Sequence, residues 1–111
     1  DPDSLANRIK HDLRQMPADT WPETEGLAAT LCISASTLRR RLAEEGQSYQ
    51  GLKDSVRKEL AIVWLAEPQI SFAEIAARLG FADTSSFYKA FRKWAGSNPG
   101  HYRSLILGEP R

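Results

Sequence analysis

Residues 75–91 read IAARLGFADTSSFYKAF. Ile75, Ala76 and Leu79 recur at helical spacing, and so do Phe87 and Phe91. Gly80 lies between the two runs and supplies a residue tolerant of positive φ. The stretch therefore predicts a short helix, a tight turn and a second helix. Two helices crossing that closely need a small residue where they touch, and Ala76 fits. The second helix needs one apolar anchor, and Phe87 stands eleven residues after Ala76.

The pattern occurs twice. Leu27-Ala28 with Leu31 and Ile33 matches Ile75-Ala76 with Leu79 and Phe81 at an offset of 48 residues, and Leu38 stands ten after Ala28. Two copies at this spacing indicate a duplicated supersecondary unit rather than a solenoid, which needs at least three. The unit is the helix-turn-helix. One copy is a weak signal because any helical hairpin mimics it; two with the same layout, each followed by a basic helix, are much stronger.

The rest of the chain also reads helical, with no alternating strand pattern and no Asn-Gly turn. Leu5, Ile9, Leu13 and Met16 mark a first helix, capped by Asp3 or Ser4 and ended by Pro17. A second starts near Pro22-Glu23 and carries Leu27, Ala28 and Leu31 inward. Ser34 caps a third, which buries Leu38 and Leu42 and ends at Gly46. Ser48 caps a fourth, from about Tyr49 to Ala66, with Leu52, Val56, Leu60 and Val63 as its buried stripe. At ~1.5 Å rise per residue it is a rod of about 27 Å. Ser71-Phe72-Ala73-Glu74 is a capping box opening the fifth. Asp83 or Thr84 caps the sixth, which Gly96 stops, and Asn98-Pro99 opens a seventh before a Gly- and Pro-containing tail.

The 111 residues suit one all-α domain with a first lobe over about 4–47, a linking helix over about 48–66 and a second lobe over about 70–106. No run approaches the ~18 apolar residues of a membrane span. The acidic, polar start is not a signal peptide, and its lack of an initiator Met suggests a piece of a longer protein. One cysteine makes neither an internal disulfide nor a cysteine-rich zinc site, so a cytoplasmic chain without metal or cofactor is expected. Net charge is only +1, but it is unevenly spread. Residues 34–60 hold 6 basic and 4 acidic groups, net +2, and residues 78–103 hold 5 and 1, net +4. The stretch between them is net −2, and residues 1–33 are net −3. Two separated basic blocks suit a polyanion.

The outward faces of the two basic helices fit DNA. The third helix shows Ser36, Thr37, Arg39, Arg40 and Arg41; the sixth shows Thr84, Ser85, Ser86, Tyr88, Lys89, Arg92 and Lys93. Short hydroxyls let a helix end approach base edges and phosphates, Arg reads guanine bidentately, and Arg or Lys neutralises phosphate. Three consecutive arginines fan through about 200° of helix and cannot share one groove. One or two of them face bases, and another takes phosphate or pairs with Glu44 or Glu45.

In these residues the chain resembles the DNA-binding domain of the AraC/XylS family of bacterial transcription regulators. Ile33-Ser34, Thr37-Leu38, Arg40, Leu42 and Glu45-Gly46 carry the first part of the likeness, and Arg57, Ala61 and Leu65 the second. The third is the family's specific region: Ile75-Ala76, Leu79-Gly80-Phe81, Asp83, Ser86-Phe87, Ala90-Phe91, Trp94, Gly96, Pro99 and Tyr102-Arg103. The resemblance spans about residues 4–106. It implies seven helices in two helix-turn-helix lobes joined by the long helix. It also implies that both recognition helices enter major grooves on one face of double-stranded promoter or operator DNA. A rod of about 27 Å suits grooves about 34 Å apart. By position, Ser36, Arg39 and Arg40 would face bases from the first lobe, and Thr84, Ser85, Tyr88 and Lys89 from the second. Arg41, Arg92 and Lys93 would take phosphates, with backbone amides at the helix starts near Ser48 and Asn98. RNA polymerase is implied as a partner of a full-length activator, with an effector or dimerisation domain on the N-terminal side. This piece itself would be monomeric. Cys32 departs from the family where the first turn often has Gly, and Asn98 where Ser is common. Glu45 to Tyr49 looks like the branch of ornithine-utilisation and virulence regulators.

Plainer readings compete at several residues. Cys32, between Leu31 and Ile33, reads as a packed turn cysteine rather than a reactive thiol. His11 and His101 have no partner at ligand spacing. Arg57 either pairs with Asp54 or Glu59, holds the lobe junction, or touches DNA. Among the aromatics, Tyr88 is the candidate for an exposed functional role, while Trp21, Trp64 and Trp94 read as packing. A helical protein-interaction domain is the rival function and needs an exposed apolar groove. A DNA-repair methyltransferase segment lacks its cysteines here, and no catalytic set or phosphate-cradling loop supports an enzyme.

Overall fold

A computed structural model describes residues 4–108 of the chain. Among the described residues seven α-helices follow one another: α1 (Leu5–Arg14), α2 (Thr24–Thr30), α3 (Ala35–Glu44), α4 (Tyr49–Leu65), α5 (Phe72–Arg78), α6 (Thr84–Ala95) and α7 (Pro99–Leu107). A 3-10 turn over Ala18–Thr20 joins α1 to the segment before α2. No strand occurs among the described residues. The chain divides into two compact units inside α4, between Val56 and Arg57.

In the first unit Ile9 and Leu13 of α1, Leu27 and Ala28 of α2, Leu38 and Leu42 of α3, and Leu52 and Val56 of α4 are buried. Polar clasps close this core. The Tyr49 hydroxyl donates to the Pro22 carbonyl at 2.8 Å, and the Trp21 indole N–H donates to the Leu13 carbonyl at 3.0 Å. Glu45 accepts the first amides of α1, from Leu5 at 3.1 Å and Ala6 at 3.0 Å. A carboxylate at a helix N-terminus satisfies orphan donors and opposes the positive end of the dipole. Ser4 caps the same end by accepting from the Asn7 amide at 3.1 Å. The alternative cap Asp3 and the tail beyond Gly108 lie outside the described residues.

The second unit packs Ala61, Leu65, Ile75, Ala76, Leu79, Phe87 and Phe91 into one buried cluster, rimmed by Phe72, Phe81, Trp94 and Tyr102. Phe91 meets Tyr102 edge-on with ring centroids 5.4 Å apart. Arg103 ties α7 to the loop after α4. Its Nε donates to the Leu65 carbonyl at 2.9 Å and Nη2 to the Ile70 carbonyl at 2.7 Å and the Glu67 carbonyl at 3.2 Å. Its guanidinium lies 4.7 Å from the centre of the Phe72 ring. A planar fork with several donors satisfies the last carbonyl of α4 together with two carbonyls of the loop that follows it.

The two helix-turn-helix turns superpose in their hydrogen bonds. In the first, the Cys32 amide donates to Ala29 and the Ile33 amide to Ala28, each at 3.0 Å. In the second, Gly80 donates to Ala77 and Phe81 to Ala76, again at 3.0 Å. This 6→1 and 5→2 pairing is the Schellman helix end, which places one residue in the left-handed region. Gly80 takes φ 86°, and Cys32, with a side chain, takes φ 61°. The departure from Gly thus leaves the turn's geometry intact, at the cost of an L-residue in αL. Both contact alanines, Ala28 and Ala76, are 2% exposed.

Several expectations are corrected. Cys32 is exposed rather than packed, because its αL backbone turns the side chain out of the turn. Val63 is 59% exposed. It continues the spacing of Leu52 and Val56, but within the second unit α4 is held through Ala61 and Leu65. Leu31 is half-buried because it is the C-cap of α2 and no longer on its inward stripe. The capping box at Ser71 is half made. Ser71 Oγ accepts the Glu74 amide at 3.1 Å, but the Glu74 carboxylate reaches forward to Arg78 at 3.0 Å. That i,i+4 pair runs in the favourable sense along the helix, and Arg78 also lies over Trp64 at 5.3 Å.

Two stability predictions follow from these contacts. Cys32→Gly should raise stability by up to about 1 kcal/mol and Gly80→Ala should lower it by about 1 kcal/mol, as relief and creation of αL strain. Thermal melts of both variants check this, and equal shifts of the same sign would contradict it. Arg103→Ala should cost about 2–4 kcal/mol through carbonyls left without a charged donor. Arg103→Lys should recover less than half of that, because a point charge cannot fork across separate carbonyls while stacking on a ring.

Candidate nucleic-acid interface

Each recognition helix begins at a polar cap that leaves its outward face free. Ser34 Oγ accepts the Thr37 amide at 3.0 Å and donates to Thr37 Oγ1 at 2.9 Å, which turns Thr37 to capping. Asp83, not Thr84, caps α6 and accepts the Ser86 amide at 2.8 Å. That amide, then the Ser86 hydroxyl, holds the Asp83 carboxyl below the usual carboxylate range, and Lys89 adds a weaker pull in the same direction. From the caps onward the two helices run in register at an offset of 49 residues, because Ala82 adds one residue to the second turn.

Leu38 and Leu42 of α3, and Phe87 and Phe91 of α6, face inward and are fully or almost fully buried. At about 100° per residue the opposite side of α3 is centred on Arg40, and that of α6 on Lys89. Two rows of i, i+4, i+8 residues occupy these faces: Ser36, Arg40 and Glu44 on α3, and Ser85, Lys89 and Lys93 on α6, all exposed.

The structure separates the remaining candidates. Arg40 Nη1 pairs with Glu44 at 3.0 Å, so the arginine with a helical carboxylate partner is one of the two expected to face bases. Arg39 lies on a flank, 3.6 Å from Glu25 at the start of α2. Arg41 is on the other flank, exposed, about 200° from Arg39. Among the described residues Arg41, Lys89, Arg92 and Lys93 make no ion pair. Thr84, Ser85, Tyr88 and Lys89 line one shallow surface cleft. Tyr88 is half-buried rather than free, edge-on to Phe72 with centroids 5.8 Å apart, so mainly its outer edge is offered to a partner. Ser48 and Asn98 are exposed, but their side chains are spent on capping, accepting from Gly51 at 3.1 Å and from His101 at 2.7 Å. Their oxygens are engaged as acceptors, and the Ser48 hydroxyl and the Asn98 amide NH2 keep donors beside the backbone amides of the helix starts. Arg57 packs within the second unit, where Nε donates to the Leu79 carbonyl at 3.2 Å and the guanidinium lies 5.7 Å from the Phe81 ring centre. Of the two carboxylates offered as an arginine partner, Glu44 takes that role, while Glu45 caps α1. Sequence reasoning missed the roles of Glu45 and Arg103, whose partners lie 33–40 residues away with no local pattern.

Among the described residues no group of three or more His, Cys, Asp or Glu side chains is placed to hold a metal ion. No helix among them is long and apolar enough to cross a membrane.

Comparison with known proteins places this geometry. A family model described as a helix-turn-helix domain matches residues 27–104, and the chain belongs to that family, of the AraC type. This is a DNA-binding domain of transcription regulators and is not an enzyme. The ornithine utilization regulator of Pseudomonas aeruginosa is 43% identical over 101 residues, which are 91% of this chain and 30% of that protein. The crystal structure of the transcriptional regulator CdpR from Pseudomonas aeruginosa matches with a TM-score of 0.82 and 39% identity, over 89% of this chain and 31% of that one. The DNA-binding domain of AdpA, a global transcriptional factor solved in complex with a target DNA, matches with a TM-score of 0.78 and 25% identity, over 96% of both chains. The chain thus spans under a third of the ornithine utilization regulator and of CdpR.

The cap of α6 gives a pH test. A carboxyl with a lowered folded pKa stabilises the fold above its unfolded pKa, and that stabilisation is lost as pH falls through the folded value. Asp83→Ala should lower the melting temperature at neutral pH. Asp83→Asn keeps a capping oxygen but loses the charge, so it should melt below the parent at neutral pH, with the difference closing as pH falls below about 4. A gap unchanged from neutral to acid conditions would show that the ionised carboxylate adds nothing beyond the hydrogen bond.

Proposed function

We propose that this chain binds double-stranded DNA sequence-specifically, with α3 and α6 as recognition helices reading successive major-groove segments of a promoter or operator. The observation that carries the reading is the duplicated unit. Each copy buries one face of its second helix and turns outward a row that starts with a hydroxyl and centres on a cation. The target DNA bound by the AdpA domain supports it.

In this reading Ser36, Arg39 and Arg40 approach bases from α3, and Thr84, Ser85, Tyr88 and Lys89 from α6. Arg41, Arg92 and Lys93 neutralise phosphates, joined by backbone amides at the starts of α4 and α7 near Ser48 and Asn98. Phosphate contacts set register and supply affinity that falls with salt, while base contacts discriminate. The isolated chain acts as a monomer. In a whole regulator, working in the bacterial cytoplasm, RNA polymerase is the partner through which occupancy of the site acts on transcription.

Selection of the 111-residue chain against a random duplex library tests this. Two short preferred blocks about one helical turn apart are expected, with affinity falling steeply as salt rises. Arg40→Ala and Lys89→Ala should each relax preference at particular base pairs by about 1–3 kcal/mol. Arg92→Ala and Lys93→Ala should weaken all duplexes alike and reduce the salt slope by about 1. No enrichment from a folded sample would overturn the reading in favour of a helical protein-interaction domain.

A further inference from the structure

The two outward rows differ in one decisive place. At their third position α3 carries Glu44 where α6 carries Lys93. On a surface meant for a polyanion, a carboxylate at the face of a recognition helix is unfavourable unless it has a use. Glu44 is 63% exposed and bonded to Arg40 Nη1 at 3.0 Å, so it is neither buried in the core nor part of a cap.

We propose that Glu44 is a specificity-determining residue, which reads a cytosine amino group beside a guanine read by Arg40. The inference rests on α3 facing DNA. An ionised carboxylate only accepts hydrogen bonds. In the major groove two groups donate, the N4 amino group of cytosine and the N6 amino group of adenine. Adenine carries the acceptor N7 next to its amino group, which repels a carboxylate; cytosine has no acceptor on that side. Arg40 holds Glu44 through one N–H and has further guanidinium donors for guanine O6 and N7. The pair therefore forms one reading unit for neighbouring guanine and cytosine. Opposite thymine O4, guanine O6 or a phosphate, the same carboxylate meets only acceptors and is repelled. Lys93 in the matching place on α6 gains from any phosphate it reaches. The rows thus divide the work, with α6 gripping and α3 rejecting wrong sequences.

Glu44→Gln tests this with little change of shape. The wild-type chain first supplies its preferred site from a random library, and Arg40→Ala identifies which block α3 reads. Binding is then compared on that site, on the site with the block's cytosine changed to thymine, and on a mixed-sequence duplex, across salt. Glu44→Gln should bind the mixed duplex about threefold to tenfold tighter and shrink the cytosine-to-thymine penalty about fivefold or more. Glu44→Lys, which copies the α6 row, should raise mixed-duplex affinity further and steepen the salt slope. Equal weakening on every duplex with a lowered melting temperature would make Glu44 merely structural and overturn the inference. So would unchanged mixed-duplex affinity and base preference in a folded variant. A wild-type chain that binds no duplex would overturn the DNA reading and this inference together, whereas an enriched site with an inert Glu44 overturns this inference alone.

Discussion

The fold rests on two hydrogen bonds between consecutive helices, from the Ile33 amide to the Ala28 carbonyl and from the Phe81 amide to the Ala76 carbonyl. Each reverses the chain directly after a seven-residue helix. A helix that short is marginal alone, so its stability comes from what it packs against. The reversal delivers the next helix against an alanine, and a larger side chain there would hold the helices apart. Leu38 and Phe87 then enter the cores as the first anchors of α3 and α6. Which face of each recognition helix meets solvent is fixed by that anchoring. The exposed rows are a consequence of the turn as much as of their own residue types.

The same constraint explains what was readable in the sequence. Schellman ends, Ser, Asp and Asn caps and apolar anchors are local features with short patterns, so the helix order and both turns could be read directly. The inward stripe of α4 was legible at Leu52 and Val56 and failed at Val63. A single helical period assumes one buried face along the whole helix, and the second unit uses Ala61 and Leu65 instead. Cys32 misled for a related reason. Apolar neighbours suggested packing, but a residue forced to φ 61° does not follow its neighbours' faces.

The candidate interface was legible in composition and less so in pairing. Basic residues opposite buried ones mark a face, and both outward faces are legible that way, whereas the place of Glu44 at the end of the α3 row is not. Arg40–Glu44 has a local i,i+4 pattern and was among the alternatives considered. Arg39 with Glu25 joins two helices and needed the turn's geometry to be seen. Tyr88 shows the limit of a face argument. Its position on the edge of the outward surface exposes one side of the ring while the other closes against Phe72.

Duplication then allows the two units to diverge without loss of either fold. Ala28 and Ala76, the paired turns and the inward anchors are bound by packing, whereas the outward rows are bound only by what they meet. Charge accordingly changes sign at Glu44 and Lys93 while the backbone frame is kept. Arg40 is tempered by an adjacent carboxylate, and Lys89 has a second cation one turn on. A surface pair of this kind contributes little to stability. Its physical weight falls on the approach of a charged partner, where an exposed carboxylate and an exposed ammonium act with opposite sign, by an amount that falls as salt rises. The helix-turn-helix frame therefore sets where the two rows stand, and the third residue of each sets how selectively it accepts a polyanion.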